Sequence, residues 1–267
     1  MATRTRRRPR TARALAAATG TVAVVALVGA CGADASSDGD PEHRTFTLPG
    51  RTLTVDSEDS ALELVPSDSG GKDVKVTRWF DGRTVLGGTP EVKWKMSGDR
   101  LTFRTTCSGV ISDCSVKHRV EVPRGVAVTV ENEDGRVTAS GFRDALKVRS
   151  QDGAVTVEKS SGPLDVRSED GSVRARGITS KRIAVASKDG AVRLELATAP
   201  DRVDARSQDG ALTVALPRTE NGAALSYDVK AEAHDGAVDV SVPRDSASPH
   251  RVSALSDDGK VTVRSAN

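Results

Sequence analysis

From residue 131 onward the chain alternates apolar and polar residues in short runs that break repeatedly at an Asp-Gly pair. Leu146 and Val148 alternate with Lys147 and Arg149 before one such pair, and Val155 and Val157 alternate with Thr156 and Glu158 after it. Leu164, Val166, Val173 and Ala175 repeat the arrangement, as do Ile183, Val185, Val192 and Leu194. A period of two puts alternate side chains on opposite faces, so each run predicts a half-buried β-strand. No window of the chain shows the 3.6-residue period of a helix.

The breaks themselves form a repeat: ENEDGRVTA (131–139), RSQDGAVTV (149–157), RSEDGSVRA (167–175), ASKDGAVRL (186–194), RSQDGALTV (206–214), EAHDGAVDV (232–240) and LSDDGKVTV (255–263). The pairs are Asp134-Gly135, Asp152-Gly153, Asp170-Gly171, Asp189-Gly190, Asp209-Gly210, Asp235-Gly236 and Asp258-Gly259, and the glycines step by 18, 18, 19, 20, 26 and 23 residues. A unit this short cannot bury a core alone, so the units stack. A meander of hairpins with two-residue Asp-Gly turns is one way to build them. The near-constant step favours the other, an all-β parallel β-solenoid resembling a single-stranded β-helix, with coils of about 18–20 residues that set Val on Val and Gly on Gly. Residues 131–267 are read as this solenoid.

Turn chemistry accounts for the Asp-Gly pair: glycine adopts positive φ without steric cost, and the aspartate bonds nearby N–H groups. On that ground Gly171→Val should be more damaging than Ser172→Val. Stacking also aligns Ser150, Ser168, Ser187 and Ser207 in a hydroxyl ladder and the aspartates in a carboxylate column. A Ca²⁺ ion would relieve the repulsion within such a column. The calcium-binding nonapeptide is absent, however, and Arg149, Arg167, Lys188 and Arg206 lie close by, so no metal site is assigned. Beyond the fifth turn the corners lengthen (217–230 and 243–251), and the last strand, VTVRSAN, ends with an open edge that a loop or a partner is expected to cover.

Residues 45–130 read as a less regular β first half. LTVDSEDSALEL (53–64) aligns with LDVRSEDGSVRA (164–175), with Ser60 at the glycine position, so the stack is expected to begin near residue 52. Residues 70–118 are an elaboration of longer loops or hairpins. Trp79, Phe80 and Trp94 lie there. They read either as a partner or sugar surface or as a cap on the core, and Trp79 and Phe80, being adjacent in a strand, point to opposite faces.

The N-terminus changes the charge balance. Arg4, Arg6, Arg7, Arg8, Arg10 and Arg13 precede an apolar run from Ala14 to Ala30, the pattern of an export signal over residues 1–30. Leu27-Val28-Gly29-Ala30-Cys31 resembles a lipobox, which makes Cys31 the lipidated residue and the membrane its partner. Losing six of the 39 basic residues leaves 33 against 37 acidic ones, a net charge of −4. The basic leader therefore argues nothing for nucleic acid, which is excluded as a partner. Residues 31–44 are polar and small and read as a flexible tether. Cys107 and Cys114 are then an even pair in an oxidising compartment, expected as a disulfide.

Four histidines (His43, His118, His234, His250) fall in no catalytic or zinc-binding spacing. No enzyme activity, cofactor or metal is expected. The leader, the lipobox, the irregular first strands, VPRGVAV (122–128) and the Asp-Gly repeats together resemble the actinobacterial DUF4097 family of β-strand-repeat proteins over residues 46–267. That resemblance implies an adhesin-like, non-enzymatic binding or structural module of the cell envelope with a protein or glycan partner. A sensing or signalling accessory of the envelope is the alternative, and a glycan-active enzyme is a third reading.

Overall fold

The computed structural model describes residues 40–68 and 71–266, and all regular structure among them is β-strand. The coil around Asp152 shows the unit. Leu146–Ser150 lies in a first sheet, residues 151–154 turn, and Val155–Glu158 returns in a second. The next coil, Leu164–Ser168 and Val173–Ile178, stacks on it in parallel, Leu146 on Leu164, Val148 on Val166, Ser150 on Ser168 and Val155 on Val173. Arg182–Ser187 with Val192–Leu196, and Arg202–Ser207 with Leu212–Leu216, continue the same register. The fold is a parallel β-solenoid of two long sheets. In these central coils the apolar phase is buried, and columns of Val, Leu, Ile and Ala fill the interior.

The turns stack as closely as the strands do. Gln151 N donates to Asn132 O and Asp152 N to Glu133 O at 3.1 and 3.0 Å; Asp170 N donates to Gln151 O and Asp189 N to Glu169 O, both at 2.9 Å. These bonds draw the corner peptides of successive coils together, and this is what requires glycine. A Cβ on Gly171 would be driven into the carbonyl oxygen of Gly153, and one on Gly190 into that of Gly171. None of the Asp-Gly glycines has positive φ. The expectation that these corners need left-handed backbone, and with it the type I′ hairpin turn, is therefore corrected: the glycine serves close approach.

Left-handed backbone occurs at the opposite corner, where Gly141 (φ 77°), Lys159 (φ 50°) and Gly177 (φ 62°) occupy equivalent slots of neighbouring coils. Gly141 N donates to Glu158 O at 2.9 Å and Lys159 N to Arg176 O at 3.0 Å, so Lys159 is held there by its neighbours. A side chain in this conformation costs about 1–2 kcal/mol, partly offset by glycine's greater freedom when unfolded. Lys159→Gly is expected to stabilise the protein by about 0.5–1 kcal/mol, seen as a rise in melting temperature of a few degrees.

The order of coils in the stack is not their order in the chain. Arg251–Ser256 pairs with Arg202–Ser207 on one side and Asp228–Ala233 on the other. In the second sheet Val261–Ser265 lies between Leu212–Leu216 and Val238–Ser241. The last coil of the chain is therefore next to last in the stack, and the coil around Asp235 is terminal. The open edge expected at VTVRSAN is in fact paired on both sides. The long corners exist for this exchange: one skips a slot and the other returns to fill it. Tyr227 pins the first corner, buried with its hydroxyl donating to Pro217 O at 2.6 Å and its backbone bridged to Arg244.

The N-terminal end makes the same exchange. Thr52–Ser57 lies between Ala127–Asn132 and Arg100–Thr106, and Ala61–Pro66 lies between Val137–Ser140 and Gly109–Val122. Beyond them the strands turn antiparallel. Asp73–Gly87 pairs with Gly109–Val122, Glu91–Ser97 with Arg100–Thr106, and Glu42–Thr47 adds the outer edge of the second sheet. One antiparallel hairpin, nested between the two strands of a longer antiparallel pair, thus closes this end with the edge strand. Glu42, His43 and Arg44, which composition assigned to the tether, belong to that edge strand, where Glu42 pairs with Arg78 and the Arg44 guanidinium sits 4.5 Å above the Trp94 ring.

Candidate binding groove

Where each first-sheet strand runs into its turn, the last outward strand residue, the buried serine and the first turn residue recur coil after coil. Together they form a groove of about 1120 Å³ along the stack. Arg149, Arg167 and Arg206 form one wall, Gln151, Glu169, Lys188 and Gln208 the other, and the serines the floor. The groove runs from Asp56 to Leu255 across seven coils. At about 4.8 Å per coil it is about 29 Å long.

Over the upper coils the floor is a chain of bonds between serine hydroxyls and glycine peptides. Gly190 N donates to Ser187 Oγ at 3.1 Å, and that hydroxyl donates to Gly171 O of the coil beneath at 3.2 Å. Ser207 repeats the pattern with Gly210 N (3.1 Å) and Gly190 O (3.4 Å), and Ser256 with Gly259 N (3.0 Å) and Gly210 O (3.4 Å). Ser187, Ser207 and Ser256 therefore tie their turns to the one below, whereas Ser150 Oγ donates to Gly153 O of its own turn at 3.0 Å and Ser168 Oγ has no hydrogen-bond partner among the described residues.

Charge divides the groove. At one end Asp56 and Glu131 are held by Arg100 and Arg104, with contacts of 2.7 to 3.0 Å. Burial alone would raise the Asp56 carboxyl, but the hydrogen bonds and charges of the two arginines outweigh it and hold the group below the ordinary range. In the middle the positive charges are less neutralised. Arg167 reaches Asp165 at only 3.5 Å, and among the described residues Arg149 and Arg206 have no ion-pair partner. The carboxylate column runs alongside. Hydrogen bonding to Asp189, reinforced by burial and by Asp152, raises the Asp170 carboxyl; burial and then Asp189 raise Asp209. Carboxylates raised in this way take up protons earlier as pH falls, which lowers their mutual repulsion. No group of His, Cys, Asp and Glu able to hold a metal occurs among the described residues.

The aromatic residues take different places. Trp94 is core, 5% exposed, beneath the guanidinium of Arg78 at 4.7 Å, so the reading of Trp94 as a contact surface gives way to the reading as a cap. Trp79 is half-buried with the Lys117 ammonium 5.5 Å from its ring, and Phe80 folds over Gly82. Among the described residues, the exposed large apolar side chains of this region are instead Val85 (54%) and Val110 (76%), on the paired arm of Asp73–Gly87 and Gly109–Val122. Cys107 and Cys114 form a disulfide at the base of that arm. Cys31 lies outside the described residues.

His118 is the residue that sequence reasoning left unused. It is fully buried, stacked on Phe103 at 3.9 Å, with Nδ1 3.0 Å from Ser60 Oγ. The alternation of Lys117, Arg119 and Glu121 against Val120 and Val122 places it on the inward phase, which was the available signal.

The Toastrack DUF4097 family matches residues 120–267, more than half of the chain. The chain belongs to that family. The matched Toastrack segment begins at the end of Gly109–Val122 and holds the stack from Ala127–Asn132 onward, and the other closing strands precede it. Two solved structures are similar to the chain, each at 12% identity. One is a candidate adhesin from Bacteroides fragilis NCTC 9343, covering 86% of this chain and 98% of that one with a TM-score of 0.47. The other is a candidate cell adhesion protein from Clostridium sporogenes ATCC 15579, covering 85% and 100% with a TM-score of 0.33. No curated protein matches.

Proposed function

We propose that this Toastrack protein is a lipid-anchored, extracytoplasmic binding module of the bacterial envelope that works without catalysis. The observation that carries the reading is the groove: a channel across seven coils with Arg149, Arg167 and Arg206 along one wall. Its length and repetition suit an extended polymer bearing anionic or polar groups at intervals, such as an envelope glycan, better than a compact metabolite. Arginine forks bind carboxylate or phosphate in two-point contacts, while Ser187, Ser207 and Ser256 of the floor are already bonded within the fold. Cys31, behind its basic and apolar leader, supports anchoring at the membrane surface.

The test has two arms. Binding of the full chain to an array of acidic and neutral envelope polysaccharides should weaken at least tenfold in Arg149→Ala/Arg167→Ala/Arg206→Ala with the melting temperature unchanged. Undiminished binding would remove the groove from the function. Labelled palmitate should be incorporated by the wild type and lost in Cys31→Ala; label retained in the variant would refute the anchor.

A further inference from the structure

One end of the stack is closed by antiparallel strands, and the other is not. The terminal coil, Asp228–Ala233 and Val238–Ser241, supplies the edge strand of both sheets. Its inward residues Val229, Ala231, Ala233 and Val240 are only partly buried, and Val238 is 45% exposed. Their counterparts one coil below, Val252, Ala254, Val261 and Val263, are fully enclosed. Every lower coil pairs its outward N–H and C=O groups with the next one up. Among the described residues, nothing performs that service for this coil.

We infer that this end is a homodimer interface, in which the terminal coils of two copies pair edge to edge across a two-fold axis. Such a contact requires a surface complementary to itself. A two-fold axis perpendicular to the strands makes equivalent strands antiparallel, and residues directly opposite then share a face. With Ala231 on the axis, Lys230 of each copy faces Glu232 of the other, Val229 faces Ala233, and Asp228 faces His234. Counted from the Asp235-Gly236 corner, Ala231 and Val240 are equally distant, so one axis passes through both strands. In the second sheet it sets Val240 on Val240, Asp239 on Ser241 and Val238 on Val242.

The nearest alternative register, centred on Lys230, sets Lys230 on Lys230 and Asp228 on Glu232. Like charges directly opposite are destabilising, so the charges select the Ala231 register. Inside it, the five half-open apolar positions all meet apolar residues of the other copy, and the sheets continue through the interface as they do between coils. Pairing also removes the free edge that would otherwise template aggregation. Within one copy Lys230 Nζ already lies 3.4 Å from Glu232 Oε1, so exchanging the two charges keeps the local pair intact while reversing both contacts across the axis.

Sedimentation equilibrium of the full chain in detergent tests this, with circular dichroism melting as the check on folding. The wild type is expected to dimerise. Lys230→Glu and Glu232→Lys should each weaken the dimer at least tenfold, as should Val238→Asp, and the double variant Lys230→Glu/Glu232→Lys should regain it. A wild type that stays monomeric at high concentration overturns the inference. So does a dimer that survives the single charge reversals, or a folded double variant that fails to recover.

Discussion

Gly171→Ala is expected to destabilise the protein by about 3 kcal/mol or more, lowering the melting temperature by about 6 °C or more, although alanine adds one methyl group. The methyl has nowhere to go. Gly153 O stands in its path, held by Ser150 Oγ at 3.0 Å, Ser168 Oγ lies 2.9 Å from where the Cβ would be, and the turn itself is tied to its neighbours by the backbone bonds of Asp170 N to Gln151 O and Asp189 N to Glu169 O. Relief would require opening the stack at its centre and losing pairing in both sheets at once. Two controls separate this cause from backbone conformation. Ser172→Ala, at the exposed neighbouring position, should change stability by no more than about 0.5 kcal/mol. Gly98→Ala, at φ 61° with nothing within 4 Å of the added atom, should cost about 1–2 kcal/mol through conformation alone. If thermal denaturation ranks Gly98→Ala above Gly171→Ala, close approach is not the reason for the glycine column.

Much of the coil was legible because its chemistry is periodic. Alternation gave the inward residues, and the constant step gave parallel stacking. The glycine column was equally legible, but its cause was not, since positive φ and close approach leave the same residue in the sequence; only the position of Gly153 O distinguishes them. The exchange of coils at both ends was hidden for another reason. The order of coils depends on which edges fit, while the chain records only corner lengths, and the 26- and 23-residue steps marked an irregularity without giving its direction. One clue was present. In stack order, the coils from Leu146–Ser150 to Arg251–Ser256 carry a serine in the slot where Ser187, Ser207 and Ser256 tie their turns to the one below, whereas the terminal coil has Ala233 there. The groove escaped notice because its walls come from residues that read, one coil at a time, as ordinary solvated charges.

His118 should make the protein acid-sensitive above the range where carboxylates titrate. Burial, with the nearby charge of Arg78, pushes its imidazole down to about 3 from the ordinary value of 6.5. Above pH 6.5 the ring is neutral in both states and contributes no pH dependence. As pH falls below 6.5 the unfolded chain takes up a proton that the folded chain refuses, so stability declines by about 1.4 kcal/mol per pH unit until the folded value is reached. Between pH 7 and pH 5 this amounts to about 2 kcal/mol. The proton cannot be accommodated in place: the ring lies flat on Phe103, Trp94 closes one side at 6.1 Å, and Nε2 has no hydrogen-bond partner among the described residues. Protonation therefore acts on the hairpin cap, where Phe103, Trp94 and Arg78 meet. His118→Phe keeps a flat ring against Phe103 and leaves Ser60 bonded to Ser57 at 2.7 Å, while removing the titrating group. Urea denaturation at pH 7 and pH 5 should show the wild type losing about 2 kcal/mol more than His118→Phe over that interval. Parallel losses in the two proteins would mean that His118 accepts a proton in the folded state and that the cap is not the acid-labile element.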